Sequence, residues 1–467
     1  MKKIIFSFLF FFTTILTFSQ DIIGTWNGIL NVQGQKMALV FQIENKDGKL
    51  TSTMDSPDQK AFGIPVETTT FQDNLLTIEL PKFKIKYTGK PNADISEIDG
   101  NFAQNGANFP LNLGRKPIEK QELVRPQTPK SPFNYNVDDV TFNNTTDNIL
   151  LAGTLTYPKT GGKFPVVILI TGSGPQDRNE EIFGHKSFAV IADDLTRKGI
   201  AVLRYDDRGV GKSTGNFQNS STEDFANDVR SAIEFLKTRP EIDQTKLGLI
   251  GHSEGGMIAP MVAVNNNQVK FIVLMAGAGT PIDELLVEQS TRYSELQGAD
   301  SKTIATNTIL QKSTYAFIKN YKGSDFEKDL TTFLKSEMSK LPENVKPQTE
   351  EELNESVKTQ VDAVNNKWFL YFIKYNPAIN LSKLKCGVLA INGSLDFQVP
   401  AKTNLKAIET ALKSAKNKNY KIVELQGLNH LFQEATTGSL EEYSAIEQTI
   451  SPKALSTMSD WILIQTK

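Results

Sequence analysis

Leu247-Gly248-Leu249-Ile250-Gly251-His252-Ser253-Glu254-Gly255-Gly256-Met257-Ile258-Ala259-Pro260 is an apolar run that breaks at G-x-S-x-G and resumes as a stretch of small, helix-compatible residues. It reads as strand, sharp turn, helix. A serine held in a strained strand-to-helix turn is crowded by its neighbours, so Gly251 and Gly255 must lack side chains for the Oγ of Ser253 to stand clear. Ser253 is therefore the candidate nucleophile. G-x-S-x-G alone occurs in many ordinary turns; the strand before and the helix after single this one out. The same turn puts the backbone amide of Glu254 at a helix N-terminus, where unpaired N–H groups and the positive dipole end favour an anion.

A serine at its ordinary pKa is a poor nucleophile and needs an adjacent base, usually a histidine oriented by a carboxylate. The chain has three histidines: His185, His252 and His430. In the chain order serine, acid, histidine, only His430 follows Ser253. It sits in Gly427-Leu428-Asn429-His430-Leu431-Phe432, just past an expected strand at Tyr420 to Leu425. Asp396, in the turn Asn392-Gly393-Ser394-Leu395-Asp396 after an expected strand at Val388 to Ile391, is the acid candidate, with Glu424 in reserve. A second oxyanion donor is expected from Thr171-Gly172-Ser173-Gly174-Pro175-Gln176-Asp177-Arg178, where glycines let a backbone N–H approach substrate closely. The amide of Ser173 is the first choice and that of Gly174 the second. His185 and His252 read as structural or pocket-lining.

Around these motifs the chain alternates buried strand, loop and helix from Phe164 onward: Val166 to Ile170, Phe188 to Lys198, Ala201 to Tyr205, Phe225 to Thr238, Leu247 to Ile250, Phe271 to Met275. Continuous apolar strands of that kind indicate a parallel sheet covered on both faces. Between about 280 and 378 the strands stop. The stretch turns rich in lysine and glutamate at helical spacing and ends in Trp368-Phe369-Leu370-Tyr371-Phe372, which fits a helical cap over a pocket or, alternatively, a solvated bundle. Alternation resumes with Val388 to Ile391, Thr403 to Lys413 and Tyr420 to Leu425, and a helix closes the chain around Pro452 to Ile464.

At 467 residues the chain has room for about three units of roughly 150 residues, one of them a larger α/β domain. Met1-Lys2-Lys3 followed by the apolar Ile4 to Phe18 has the charged start and short hydrophobic core of a secretory signal peptide, too short to span a bilayer comfortably. Residues 1–20 are accordingly expected to be removed, leaving a periplasmic or secreted chain with no stable membrane anchor. Residues 21–115 show period two in Leu39, Phe41, Ile43, in Leu76, Ile78, Leu80 and in Phe83, Ile85, Tyr87, with turn signals at Lys46-Asp47-Gly48-Lys49 and Asp99-Gly100-Asn101. That is a small all-β meander or barrel, serving either packing or the binding of a ligand or glycan. Residues 116–136, with Pro117, Pro126, Pro129 and Pro132 among charges, read as an extended linker, and 137–467 as the α/β domain, opening with two strands at Val137 to Phe142 and Ile149 to Tyr157.

Composition removes several classes. The balance of 51 Lys+Arg against 53 Asp+Glu gives a net charge of −2 and no basic field for nucleic acid. Cys386 is the sole cysteine, so there is no intramolecular disulfide and no thiolate metal cluster. No H-E-x-x-H or i, i+4 histidine pair suggests a metal. Gly209-Val210-Gly211-Lys212-Ser213-Thr214 mimics a phosphate loop, but Asp206 stands where that motif needs glycine, and two acids there would repel phosphate.

Together, Gly251 to Gly255, the Thr171 to Arg178 loop, Tyr205-Asp206-Asp207-Arg208-Gly209-Val210-Gly211, the Asp396 turn and the His430 loop resemble the α/β-hydrolase superfamily, from about Val137 to the C-terminus. The Gly172 to Arg178 run is similar to a branch of bacterial esterases grouped with serine aminopeptidase-like hydrolases, and Gly24-Thr25-Trp26 resembles the opening of lipocalin-like barrels. The resemblance implies a mostly parallel eight-stranded sheet with a helical cap, places Ser253, Asp396 and His430 in a catalytic triad, and makes the Asp206 to Gly211 loop chiefly structural. The oxyanion loop departs from the family by lacking a His-Gly motif. The function so implied is that of a secreted serine hydrolase of small carboxylic esters, working through an acyl-enzyme without metal or organic cofactor. Two alternatives stand beside it: a peptidase of short peptides, which needs a further carboxylate to bind the substrate amine, and a ligand- or glycan-binding protein with a vestigial hydrolase domain.

Overall fold

The computed structural model describes residues 22–32, 35–59, 61–104, 107–118, 124–343 and 345–467. The leader at 1–20, read as a signal peptide, lies outside the described residues, as does part of the expected linker. The chain divides into two compact units, 1–122 and 123–467.

The first unit is an antiparallel β half-barrel of ten strands between Gly24 and Gly114. Its alternating residues pack as their period requires: Leu39, Phe41 and Ile43, then Leu76, Ile78 and Leu80, are buried with Trp26, Tyr87 and Phe102. Two expectations need correction. Phe83 lies in a short 3₁₀ turn, Pro81–Phe83, and is exposed. Asp99-Gly100-Asn101 lies inside the strand Glu97–Gln104, and the turn falls earlier, where the Asn92 side chain accepts from the amides of Ser96 and Glu97. Gly100 serves packing instead: a Cβ there would meet the Tyr87 hydroxyl oxygen at 2.2 Å.

The second unit is built on an eight-stranded sheet: β1 (Tyr135–Asn144), β2 (Ile149–Pro158), β3 (Phe164–Ile170), β4 (Ala201–Tyr205), β5 (Ile242–His252), β6 (Val269–Met275), β7 (Gly387–Gly393) and β8 (Tyr420–Leu425). The strand order is β1-β2-β4-β3-β5-β6-β7-β8. β1, β2 and β4 pair antiparallel, and every later pair is parallel. Strands buried on both sides need two covering layers. Helices α1 (Ser187–Arg197) and a C-terminal helix, Pro452–Gln465, pack Phe188, Ile191, Met458 and Trp461 on one face; α2 (Thr222–Leu236) and α3 (Gly255–Ala263) pack Val229, Ile233 and Ile258 on the other. The cap is inserted between β6 and β7 as α4 (Ile282–Leu296), α5 (Ser301–Asn320), α6 (Phe326–Ser339), α7 (Glu350–Val364) and α8 (Lys367–Phe372). It has a core of its own around Ile318, Leu334 and Val361. Asp300, Asp325, Thr349 and Asn366 cap four of these helices with side-chain oxygens.

Of the stretch read as linker, Arg125 and Gln127 are fastened to this unit. Arg125 donates to the carbonyls of Phe183, Ser444 and Ile446, and Gln127 bonds both the amide and the carbonyl of Ile450.

A charged network braces the loop after β4. Buried Arg208 holds Asp228 through two bonds of 2.8 Å and Asp147 through one of 2.7 Å. Burial pushes the Asp228 carboxyl above the usual carboxylate range, and the guanidinium opposes that shift. Replacing Arg208 with methionine strands this acid, so Arg208→Met should cost about 3–5 kcal/mol in a denaturant titration; a loss under about 1 kcal/mol, the range of an exposed pair, would contradict the role.

Candidate active site

All four candidate segments leave the sheet at the carboxyl ends of their strands, where open α/β sheets form their binding crevice. Ser253 follows β5, the Gly172 to Arg178 loop follows β3, Asp396 follows β7 and His430 follows β8. Ser253 sits at φ 52°, the left-handed region that a non-glycine residue enters only under constraint. The constraint is steric and close. A Cβ on Gly251 would lie 1.9 Å from the carbonyl oxygen of Gly255, and one on Gly255 would lie 2.2 Å from that of Ile170. The Ser253 amide is tied to the Met275 carbonyl at 2.8 Å, which fixes the turn to β6.

Ser253 and His430 line one cleft of about 360 Å³. The Nδ1 of His430 lies 2.8 Å from Asp396 Oδ2, and both side chains are buried. The other oxygen, Asp396 Oδ1, accepts the amides of Gln398 and Val399, each at 2.9 Å, so the carboxylate cannot rotate away. Buried Asn429 shapes the histidine loop by accepting the amides of Leu431 and Gln433. No hydrogen bond joins the Ser253 hydroxyl to His430, a geometry that in such sites tightens once substrate is bound. Glu424, the reserve acid, is exposed on β8 and bonded to Gln426.

Two backbone amides near Ser253 are left open, that of the adjacent Glu254 and that of Ser173, which lines the same cleft. Among the described residues, those of Glu254 and Ser173 donate to no other group, while the neighbouring Gly172 amide is taken by Glu180 at 2.8 Å. The Ser173 loop is held from behind: Asp207 accepts from the Thr171 hydroxyl and the Gln176 amide, and Asp206 takes the Arg178 guanidinium through two nitrogens. The phosphate-loop mimic is organised by Asp206, whose carboxylate accepts the Lys212 amide and packs so closely on Gly211 that a Cβ there would lie 2.5 Å from Oδ2.

The remaining histidines divide. His185 does not itself line the cleft; it is buried behind the wall against Thr449 and the carbonyl of Tyr443, and burial, helped by nearby Arg125, pushes its pKa down to about 4. His252 lines the cleft, with Nδ1 2.9 Å from Glu180 Oε1 and Nε2 3.0 Å from the His430 carbonyl. Sequence reasoning passed over Glu180 and the side chain of Glu254. The latter is buried and accepts from Thr222 of α2 and from the indole of Trp368 in α8. Burial raises its pKa, and these donors act against the rise. The only sequence signal for either residue was an acid close to a glycine-rich active-site loop.

The cap completes the walls. Leu285, Leu286 and Gln289 of α4 and Trp368 and Phe372 of α8 line the cleft, the last two with their rings 4.7 Å apart and near parallel. Apart from its polar floor the lining is mostly apolar, as in clefts that take small organic ligands.

A family model described as serine aminopeptidase, S33 matches residues 185–430. Among curated proteins, esterase EstD of Thermotoga maritima is 32% identical over 181 residues, 39% of this chain and 42% of that protein. The mitochondrial palmitoyl-protein thioesterase ABHD10 of Homo sapiens is 31% identical over 142 residues, 30% of this chain and 40% of that one. The chain thus spans less than half the length of these curated relatives. A solved structure, the Pyrococcus furiosus esterase PF2001, aligns with 75% of this chain and 100% of its own at 17% identity and a TM-score of 0.43.

Proposed function

The chain belongs to the serine aminopeptidase S33 family of α/β hydrolases, and from that premise we propose that it cleaves small carboxylic esters through an acyl-enzyme formed on Ser253. The observation that carries this reading is the Asp396–His430 pair, buried and locked by two further amides, in the same cleft as a serine on a left-handed turn. With Nδ1–H held on Asp396, His430 presents Nε2 as the proton acceptor. It takes the Ser253 proton as Oγ attacks the ester carbonyl, and the amides of Glu254 and Ser173 stabilise the oxyanion that forms. His430 then returns the proton to the departing alkoxide. Water repeats the sequence on the acyl-enzyme and releases the acid.

Ester rather than peptide is favoured by the cleft's charges. An aminopeptidase needs a free carboxylate to receive the substrate ammonium, and the one carboxylate among the described lining residues, Glu180, is already bound to His252 and Gly172. Leu285, Leu286, Phe372 and Leu431 offer an apolar wall to an acyl or aryl group. Export of the chain after cleavage near Ser19-Gln20 is part of the same proposal, supported by the charged start and short apolar run at Met1 to Phe18.

The test is turnover of p-nitrophenyl esters from acetate to dodecanoate alongside aminoacyl p-nitroanilides, each with and without a serine-directed fluorophosphonate. Esters should be hydrolysed, with all activity lost on labelling. Cleavage of the anilides alone would replace the esterase reading by the peptidase one.

A further inference from the structure

A second acid–histidine pair lies beside the first and has no part in the proton transfers above. His252 Nε2 faces the His430 carbonyl, which can only accept, so that nitrogen carries a hydrogen. Nδ1 faces Glu180 Oε1, an oxygen that also accepts the Gly172 amide. With both ring nitrogens facing acceptors, the geometry favours an imidazolium on His252. Burial alone would strip that proton; the Glu180 charge outweighs it, and the His252 pKa lies above its ordinary value. Both residues are almost fully buried, and Glu180 is itself held at φ 49°.

The contacts run to both sides of the site. At one end Glu180 grips Gly172, the residue before the oxyanion amide of Ser173. At the other, His252 grips the backbone of His430, and the two imidazole rings are 4.8 Å apart. The charged and titratable groups around His252 are Glu180 from the loop after β3, with Asp207 behind it, and Asp396 and His430 from the loops after β7 and β8.

We propose that Glu180 and His252 are positioning residues that fix the oxyanion loop and the catalytic base to one another, the His252 charge offsetting the Glu180 carboxylate so that the buried pair adds no net charge beside the base. This rests on the serine-hydrolase reading. In the native pair the two charges cancel. His252→Gln leaves the Glu180 carboxylate uncompensated in the cleft that His430 also lines, whereas Glu180→Gln keeps an acceptor for Gly172 and leaves a neutral ring, so the net charge is unchanged.

The experiment is the pH profile of kcat and kcat/KM on a p-nitrophenyl ester for the wild type, both single variants and the double variant, with thermal midpoints measured in parallel. His252→Gln should lower kcat by about 10²-fold, the cost of a small misplacement at a reacting centre, with KM little changed. Its acidic limb should move up by about one pH unit. Glu180→Gln should lower kcat without moving that limb, and the double variant should bring the limb back while kcat stays low. A loss carried by KM alone, an unmoved limb in His252→Gln, or unchanged kcat in both single variants would overturn the proposal. Should His252→Gln fail to fold, the near-isosteric Glu180→Gln decides: wild-type kcat in it removes the positioning role. An inactive wild type would sink the hydrolase reading itself, whereas an active wild type with unaffected variants would sink only the pair.

Discussion

Ser253→Ala is expected to lower ester turnover by about 10⁶-fold, the scale on which a serine hydrolase loses activity when its nucleophile goes, with the fold unchanged. The change removes only the hydroxyl, which has no hydrogen-bond partner among the described residues, and keeps Cβ. What holds the turn together is backbone: the Ser253 amide on Met275, the Gly256 amide on the Ser253 carbonyl, and the bare Cα atoms of Gly251 and Gly255. Alanine at φ 52° meets a steric penalty that serine already carries. A modest residual rate over water should survive, because the amides of Glu254 and Ser173 remain. The measurement is ester turnover together with fluorophosphonate labelling. Turnover within tenfold of wild type would mean that the reaction runs through another group.

Asp396→Asn should lower kcat by about 10⁴-fold while the variant still folds and still reacts, slowly, with the fluorophosphonate. The reason lies in how the two carboxylate oxygens are divided. Oδ1 is held by the amides of Gln398 and Val399, both donors, so the asparagine must present its carbonyl oxygen to them. Its NH₂ group then faces His430 Nδ1, where Oδ2 had been. An imidazole nitrogen facing a donor must accept, which moves the ring hydrogen to Nε2 and leaves nothing there to take the Ser253 proton. The local fold is kept because the two amide bonds are kept. A fall of less than tenfold would show that His430 does not need Asp396 to hold its tautomer.

The α/β unit was legible in the sequence because its strands are buried on both faces. Ala201–Tyr205 and Tyr420–Leu425 fall where the apolar runs put them, and Val166 to Ile170 and Phe271 to Met275 extend by only two residues at their starts. The elbow at Ser253 was legible for a different reason: glycines on both sides of the serine mark positions where close backbone approach leaves no room for a side chain. The half-barrel was read less well at its turns. Asp99-Gly100-Asn101 carries a turn composition, but its glycine is there because the Tyr87 ring lies over it, a tertiary demand that no local pattern encodes. Within the site, His430 and Asp396 could be picked by chain order and scarcity. Glu180 could not: it acts from the far end of a loop, and its partner, His252, stands 72 positions away. Glu254 was noticed for its amide alone, because a side chain next to a nucleophile is ordinarily expected to point elsewhere.

The bond from the Trp368 indole to Glu254 has a consequence for observing this protein in solution. The chain holds three tryptophans. Trp26 is buried in the half-barrel, and Trp461 packs edge-on against Phe271 beneath the sheet. Only Trp368 combines a place in the cleft wall with a contact to the carboxyl group of Glu254, one residue from Ser253. Its emission therefore carries information on whether α8 is seated over the elbow. With the other two indoles replaced by phenylalanine, the emission of Trp368 would report on occupancy of the cleft without any added label.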